Sequence, residues 1–195
     1  MARKLEFDRD QALDQALKLF WQRGYAATSL PELLDVMQIA RSSFYSSFTD
    51  KRTLFLECLD RFGERTCHIL TAAPAELSPL GKIRHFFEQT IVGTPRHRLA
   101  HGCMMVNTVL ELAEVEPELK SHAQRQLDAV QRQFERLLNL AVDCGQLSPD
   151  RDTEQLAEVL MTLNLGIRVQ SRKLESPEAV ADNINHSLEL LGLAA

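Results

Sequence analysis

The chain has 195 residues, of which 45% are hydrophobic and 25% charged, and its formal net charge is −5. This is the composition of an ordinary folded protein, and no apolar run reaches the roughly 18 residues that a membrane span needs. The four cysteines lie far apart without a C-x-x-C pair, which argues against a disulfide framework. The first residues, MARKLEFDRDQ, lack the apolar segment of a signal peptide, so we expect a cytoplasmic protein with no membrane partner.

Apolar residues recur at spacings of three and four, and no run alternates with a period of two, so an all-α chain of about nine helices is predicted. In chain order the predicted helices are Arg9–Arg23, a short helix beginning at Ser29, Arg41–Phe48, a longer helix beginning at Asp50, Pro79–Val92, Ala100–Ala113, Pro117–Cys144, Thr153–Lys173 and Pro177–Leu191. Asp8 is placed to cap the first helix and Gly24 to end it. Ser29 and Glu32 have the spacing of a capping box.

The charge is distributed unevenly between the two parts of the chain. Residues 1–56 hold eight Lys or Arg and seven Asp or Glu, whereas residues 57–195 hold 14 and 20. A net charge of +1 in the first part is not a strongly basic surface. A small nucleic-acid-binding module still works with few cations if they lie on one face, because phosphates are neutralised locally.

The third helix carries two phenylalanines and a polar outer face. At 100° per residue, Phe44 and Phe48 fall on one side of it, and Ser42, Tyr45 and Ser46 fall on the opposite side. A compact, donor-rich face suits a helix that enters the major groove of DNA, and the short helix and turn before it complete a helix-turn-helix. The same pattern fits a small surface helix with solvated serines, so the pattern alone leaves both open.

The stretch FWQRGYAATSLPELLDVMQIARSSFYSSFTDKRTLF, from Phe20 to Phe55, resembles the DNA-binding region of TetR-type transcriptional regulators. That family has F-x-x-x-G-(Y/F)-x-x-T-(S/T) before a short helix and (K/R)-x-x-(L/F)-Y-x-x-F-x-x-K-x-x-L after it. The matching residues are Phe20, Gly24, Tyr25, Thr28, Ser29, Arg41, Phe44, Tyr45, Phe48, Lys51 and Leu54. Two positions depart from the pattern, since Gln38 stands where Gly is common and Ala40 where Ser or Thr commonly caps the helix.

The resemblance implies a helix-turn-helix domain in residues 1–50 and a helical effector-binding and dimerisation domain in residues 51–195. It implies a homodimeric repressor that binds palindrome-like double-stranded DNA and is released by a small-molecule effector, without a cofactor. The residues expected to contact phosphates are Thr28, Tyr45 and Lys51, and those expected to approach bases are Arg41, Ser42, Ser43 and Ser46.

The resemblance also implies that the last two long helices pair across a twofold axis as a four-helix bundle. The predicted dimerisation residues are Leu156, Leu160, Leu163 and Ile167 on one helix and Val180, Ile184, Leu188 and Leu191 on the other. Gly166 would allow a close helix crossing. The same apolar stripes also fit an intramolecular core. A twofold dimer would place its recognition helices roughly 34–36 Å apart, one turn of DNA.

Polar residues within apolar stretches mark a candidate effector pocket, because a ligand site normally has few polar groups in an apolar lining. The predicted effector-binding residues are Phe86, Cys103, Met104, Asn107, Phe134, Asn164 and Arg168. Asn107 and Asn164 equally fit helix-bridging amides. Cys103 lies near a predicted helix start, a setting that makes some thiols reactive. The alternative is therefore a redox- or electrophile-sensing repressor switched through Cys103, against a buried inert thiol.

Other classes of protein have less support in the sequence. His97 and His101 have H-x-x-x-H spacing, but no further ligand follows at a suitable distance, so no metal site is predicted. The chain lacks G-x-S-x-G, G-x-G-x-x-G, Walker and H-E-x-x-H motifs, so we predict that it is not an enzyme. A helical interaction module without DNA binding is the remaining class, and the weakly basic first part and Ala40 would fit it.

Overall fold

The structure is a computed structural model that describes residues 7–170 and 176–194. Within these ranges the elements are α1 (Arg9–Arg23), α2 (Leu30–Met37), α3 (Arg41–Phe48), α4 (Lys51–Thr71), α5 (Pro79–Phe87), a π-helical segment (Glu88–Val92), α6 (Arg96–Leu99), α7 (Met104–Glu111), α8 (Pro117–Asp143), α9 (Thr153–Gln170) and α10 (Pro177–Leu190). The described residues contain no β-strand, which confirms the predicted all-α class. None of the helices described combines the length and the apolar character that crossing a bilayer requires.

Of the ten α-helices in the described residues, nine have eight residues or more, and α6 is a single turn of four. The predicted helix Ala100–Ala113 is confirmed as α7 over Met104–Glu111, but its predicted start is wrong. The chain turns at Gly102 with φ +68° and then extends at Cys103, the N-cap of α7. The predicted helix Pro79–Val92 is continuous, but its last five residues form the π-helical segment. Lys173, the predicted end of the ninth helix, lies outside the described residues.

The chain packs into two compact units. The first contains the described residues of Met1–Gly63 together with Cys103–Gln126, and the second contains those of Glu64–Gly102 and Leu127–Ala195. The units follow packing rather than chain order, since α7 and the start of α8 pack with the N-terminal helices. The division at residue 50 that the resemblance implied stays a prediction.

Aromatic rings form the centre of the first unit. Phe20 of α1 lies edge-on to Phe55 of α4, with ring centroids 4.8 Å apart. Phe44 and Phe48 hold α3 and are almost completely buried. Burying a side chain of this size stabilises a fold by about 1.5–3 kcal/mol, so these two rings fix which face of α3 points inward.

Ion pairs also join α1 to α4, and they run in both directions. Arg9 of α1 contacts Glu57 of α4 at 2.7 Å. Arg61, one turn further along α4, contacts Asp10 at 2.7 Å and Asp14 at 2.6 Å, both on α1. Because each helix supplies a cation and at least one anion, the pairs favour one register of α1 along α4.

The second unit has an aromatic cluster of its own. The rings of Phe86 and Phe134 lie 5.1 Å apart and edge-on, and those of Phe87 and Phe134 lie 6.2 Å apart and nearly parallel. All three side chains are fully buried. This cluster packs α5 against α8.

Candidate nucleic-acid interface

The helix-turn-helix begins with the predicted capping box, which the structure confirms. The Ser29 amide donates to Glu32 Oε2 at 2.9 Å, and the Glu32 amide donates to Ser29 Oγ at 3.4 Å. At its other end α2 stops at Gln38, which has φ +55° and ψ +43°. The turn therefore forms without the glycine that the family commonly has. The left-handed conformation of Gln38 costs a non-glycine residue roughly 1–2 kcal/mol.

Helix α3 presents the face that its residue spacing predicted. Phe44 and Phe48 point into the core, whereas Arg41, Ser42 and Ser46 are exposed, and Ser43 is half-buried at the edge. Tyr45 is 49% exposed, with its ring edge-on to that of Phe44 at 5.5 Å. Ser46 Oγ donates to the Ser43 carbonyl at 2.9 Å, and its oxygen can still accept a hydrogen bond. The outer face is therefore short, polar and rich in hydroxyl groups.

The two ends of α3 have weak local caps. Its N-cap is Ala40, which has no side-chain acceptor for the first amides. Its C-cap is Thr49, a β-branched residue with φ +63° and ψ −61°. This agrees with the weak N-terminal cap expected from the departure at Ala40.

The start of α4 places a cation beside α3. Lys51 is half-buried, and its Nζ lies 4.4 Å from the ring centroid of Tyr25. Burial lowers the pKa of Lys51, and the carboxylates of Glu111 and Glu32 counteract this shift. Asp50 Oδ1 accepts from the Thr53 amide at 2.7 Å and so caps α4. The Asp50 carboxylate therefore already binds the Thr53 amide at the start of α4.

Thr28 lies inside the fold rather than on the predicted DNA-facing surface. It is 1% exposed, and its Oγ1 donates to the Gly24 carbonyl at 2.7 Å. The phosphate contact that the resemblance implied is therefore not open to this side chain. Its hydroxyl holds the turn between α1 and α2 instead.

Glu111, at the end of α7, contacts the same turn and was missed by the sequence analysis. Its Oε2 accepts from the Tyr25 amide at 3.1 Å, and its Oε1 accepts from the Ala26 amide at 2.7 Å. Gly24 has φ +83°, a conformation that favours glycine, and the Glu111 carboxylate lies close to it, since a Cβ at residue 24 would be 2.5 Å from Oε2. Residues 26 and 111 lie 85 positions apart, and no local pattern connects them.

Further polar contacts extend this connection along α4. Arg52 contacts Glu116 at 3.6 Å and also forms an ion pair with Glu118. Two side chains of α8, His122 and Gln126, both lie 2.6 Å from Asp60 Oδ1. Residues 116–126 thus contact the start and the middle of α4.

The predicted effector-binding residues divide between the two units. In the first unit, Cys103 and Met104 are buried and Asn107 is half-buried. In the second, Phe86 and Phe134 belong to the aromatic cluster, and Asn164 Oδ1 accepts from Arg168 Nε at 3.0 Å. The Asn164–Arg168 hydrogen bond lies within α9, so this amide does not bridge to another helix through that contact. The pocket itself stays a prediction.

The cysteines are all free thiols. Cys58 and Cys103 are buried, Cys67 is half-buried and Cys144 is exposed. Burial raises the pKa of Cys58 and of Cys67. Within the described ranges, no cluster of three or more His, Cys, Asp or Glu side chains is arranged to hold a metal ion.

Most of the residues predicted for dimerisation pack inside the chain. The buried ones are Leu156, Leu160, Ile167, Val180, Ile184 and Leu188, and Leu163 and Leu191 are half-buried. The part of these six residues in dimerisation stays a prediction, because apolar spacing identifies a buried stripe but not the partner that buries it. On α9, Val159 and Val169 are exposed, and a Cβ at Gly166 would meet no atom within 4 Å. Leu190 at the end of α10 is 89% exposed.

Two family models match this chain. One, described as "Bacterial regulatory proteins, tetR family", matches residues 12–58, which contain most of α1 and all of α2 and α3. The other, described as "Tetracyclin repressor-like, C-terminal domain", matches residues 79–187, more than half of the chain.

Individual proteins are similar over nearly the whole length. The "Uncharacterized HTH-type transcriptional regulator YezE" of Bacillus subtilis is 29% identical over 193 residues, which cover 98% of this chain and 100% of that protein. The "HTH-type transcriptional repressor ComR" of Escherichia coli is 29% identical over 94% of this chain and 89% of its own. Among solved structures, a cysteine-substituted form of the regulator CifR, bound to a 26-base-pair operator, is 26% identical with a TM-score of 0.74. That match covers 96% of this chain and 98% of CifR.

Proposed function

The chain belongs to the TetR family of bacterial regulatory proteins and is a DNA-binding transcriptional regulator, and we propose that it is a homodimeric repressor that reads its operator with α3. The observation that carries this proposal is the exposed polar face of α3, backed by Phe44 and Phe48. A helix with short hydroxyl side chains and one arginine fits into a major groove about 12 Å wide. A protein with this function acts in the cytoplasm, where operator DNA is found.

We divide the contacting residues by the groups that they offer. Arg41, Ser42 and Ser46 reach toward base edges, and Ser43, which is half-buried, lies at the edge of this face. Tyr45 and Lys51 bind phosphates, because a phenol and an ammonium are both donors that need no base-specific geometry. Thr28 is not among the contacting residues, and its hydroxyl supports the turn that carries α2.

The dimer is proposed to form through the outward face of α9 and the end of α10. Val159, Gly166, Val169 and Leu190 leave apolar or small groups exposed there, although α9 and α10 are otherwise packed. A twofold axis through this face would pair the same surface with itself, as isologous interfaces do. Two recognition helices would then meet half-sites roughly one turn of DNA apart.

A small-molecule effector is proposed to release the repressor from DNA. It does so only to the extent that it binds the DNA-free conformation more tightly than the DNA-bound one. The predicted lining residues include Cys103 and Asn107, at the start and in the middle of α7, the helix that ends at Glu111. Chemistry at Cys103 is the alternative trigger, because α7 connects this thiol to the turn that Glu111 holds.

The experiment is an operator-binding titration with DNA from upstream of the protein's own gene. Wild-type protein should bind this duplex at least 1,000-fold more tightly than unrelated DNA, the lower end for specific regulators. The double variant Tyr45→Phe, Lys51→Ala should weaken binding to both duplexes similarly. It should reduce the slope of log K against log salt by about 0.9, because Lys51 neutralises one phosphate and the Tyr45 phenol carries no charge.

Lys18→Ala is the matched control, since it removes one exposed cation from α1 in the same unit. It should leave both affinities and the salt slope nearly unchanged. Equal binding of all duplexes by the wild-type protein would favour an interaction module instead. An unchanged salt slope in the double variant would reject the phosphate contact of Lys51, and unchanged affinity would reject both contacts.

A further inference from the structure

The recognition helix α3 depends on contacts from other helices for its position. It has eight residues, whereas an isolated helix shorter than about 12–15 residues is marginal in water. Neither Ala40 nor Thr49 provides it with a side-chain cap. Its last carbonyl groups have no partner within the helix and need donors from elsewhere.

Arg9, in the first turn of α1, supplies one of these donors. Its Nη2 donates to the Ser47 carbonyl, in the last turn of α3, at 3.2 Å. The same nitrogen lies 2.9 Å from Glu57 Oε1 and 2.7 Å from Glu57 Oε2, on α4. Its Cζ lies 4.5 Å from the ring centroid of Phe48. One half-buried side chain therefore touches the backbone and a core ring of α3 while it is paired with α4.

We propose that Arg9 is a positioning residue for DNA recognition, which fixes the C-terminal end of α3 relative to α1 and α4. A cation at this end also complements the partial negative charge of the helix terminus. Glu57 neutralises the guanidinium, so Arg9 acts between helices rather than as a phosphate ligand. The inference rests on the proposed function, because it assumes that α3 enters the groove.

The chemistry of this site requires arginine rather than any cation. A guanidinium is planar, stacks on a ring and directs several donors from one fork. A lysine ammonium is a compact point charge and does not reproduce stacking on Phe48 together with bonds to Ser47 and Glu57. Substitution with lysine therefore keeps the charge and removes the geometry.

A shift of α3 affects base contacts and phosphate contacts differently. Base contacts require positions held to within about 0.5 Å, and all residues on the face of α3 move together. The number of phosphates neutralised does not change when the cations that bind them are intact. Loss of Arg9 should therefore reduce specific affinity and leave non-specific affinity and the salt slope almost unchanged.

The test compares Arg9→Lys and Arg9→Gln with the control Lys18→Ala in full-length protein. Binding to the operator and to an unrelated duplex is measured over a series of salt concentrations. Arg9→Lys should weaken operator binding about tenfold and Arg9→Gln more, as expected for losing a hydrogen bond from a charged group. Binding to unrelated DNA should stay within about twofold of wild type. Glu57→Gln keeps the hydrogen bond of Arg9 to Ser47 and its contact with the Phe48 ring, so it should weaken operator binding less than either Arg9 variant.

If the wild-type protein binds its operator specifically, two outcomes would overturn the inference. If both Arg9 variants lose equal affinity for the two duplexes and the slope falls by about 0.9, Arg9 binds a phosphate itself. If folded Arg9→Lys binds the operator like wild type, the contact does not position α3. Helical content measured by circular dichroism decides whether each variant is folded, and Arg9→Lys keeps the test open if Arg9→Gln unfolds. Failure of the wild-type protein to prefer any operator would instead reject the proposed function and, with it, this inference.

Discussion

The two compact units differ in the contacts that hold the helices within each of them. In the first unit, ion pairs and charged hydrogen bonds connect α1, α3, α4, α7 and α8 around a small aromatic core. In the second, the centre is the cluster of Phe86, Phe87 and Phe134. Apolar burial is strong but has no preferred direction, whereas charged hydrogen bonds require a particular geometry. Directional contacts therefore fix the orientation of α3 within the first unit. The centre of the second unit is held by close packing of rings, with a directional contact from Arg84 Nη2 of α5 to Asn185 Oδ1 of α10 at 2.6 Å outside that cluster.

The largest effect should come from the aromatic cluster of the second unit. Phe134→Ala leaves a cavity among fully buried rings, and we expect the free energy of unfolding to fall by about 3–5 kcal/mol in a urea titration. The exposed Leu140→Ala on the same helix should change it by less than about 0.5 kcal/mol. A small effect of Phe134→Ala would mean that close packing does not dominate this unit.

Charges placed on the outward face of α9 should disrupt the proposed dimer. Val159→Asp with Val169→Asp introduces two carboxylates per protomer on the outward side of α9 and should convert a dimer into monomers in sedimentation velocity. Operator affinity should then fall about hundredfold, because the second half-site is no longer held close to its helix. Glu158→Gln is the control on α9. A double variant that remains dimeric would place the interface on another surface.

Removing the Glu111 contact should loosen the first unit without creating a cavity. Glu111→Ala leaves the amides of Tyr25 and Ala26 without their acceptor, and we expect a loss of about 1 kcal/mol. Faster hydrogen exchange at these two amides would locate the effect in the turn. Glu114→Ala, an exposed carboxylate on the segment after α7, should leave that exchange unchanged.

A better cap should stabilise α3. Ala40→Ser supplies an acceptor for the free amides at the helix start and should raise the free energy of unfolding by about 1 kcal/mol. Ala40→Val offers no acceptor and should give no gain. If both substitutions have the same effect, hydrogen bonding at this cap is not the cause.

The smallest effect concerns acid stability at the start of α4. The hydrogen bond from the Thr53 amide lowers the pKa of Asp50 below its ordinary value of 3.8. A lowered pKa in the folded state means that this stabilisation is fully present above pH 3.8 and is lost as the pH falls through the folded-state pKa. Urea midpoints measured below pH 4 should therefore fall less steeply with acid in Asp50→Asn than in wild type. Identical slopes would show that the cap contributes nothing measurable.

The parts of the fold that sequence could predict are those set by local rules. The bounds of α1 and α3, the cap at Asp8 and the box of Ser29 and Glu32 depend on residues three to four positions apart. The inward orientation of the Phe44 and Phe48 side chains follows from helical periodicity alone. Each of these predictions depends on neighbours that can be read directly along the chain.

The parts that sequence could not predict depend on distant partners. Arg9 meets Glu57 and Ser47 across 48 and 38 positions, and Glu111 meets Ala26 across 85. Each is an ordinary surface charge in its own segment, so nothing local distinguishes it. The stripes on α9 and α10 were visible as apolar patterns, but spacing cannot tell an intramolecular partner from a second copy.

The contact of Glu111 with Tyr25 and Ala26 has a consequence for engineering and for evolution by recombination. A chimera that joins residues 1–50 of this protein to the helices of another regulator would bring its own turn but not the carboxylate that holds it. Such a chimera should lose about 1 kcal/mol of stability, and transplanting residues 103–126 along with the N-terminal helices should restore it. Natural recombination between relatives should therefore be favoured where the recipient offers an acidic side chain at the corresponding position.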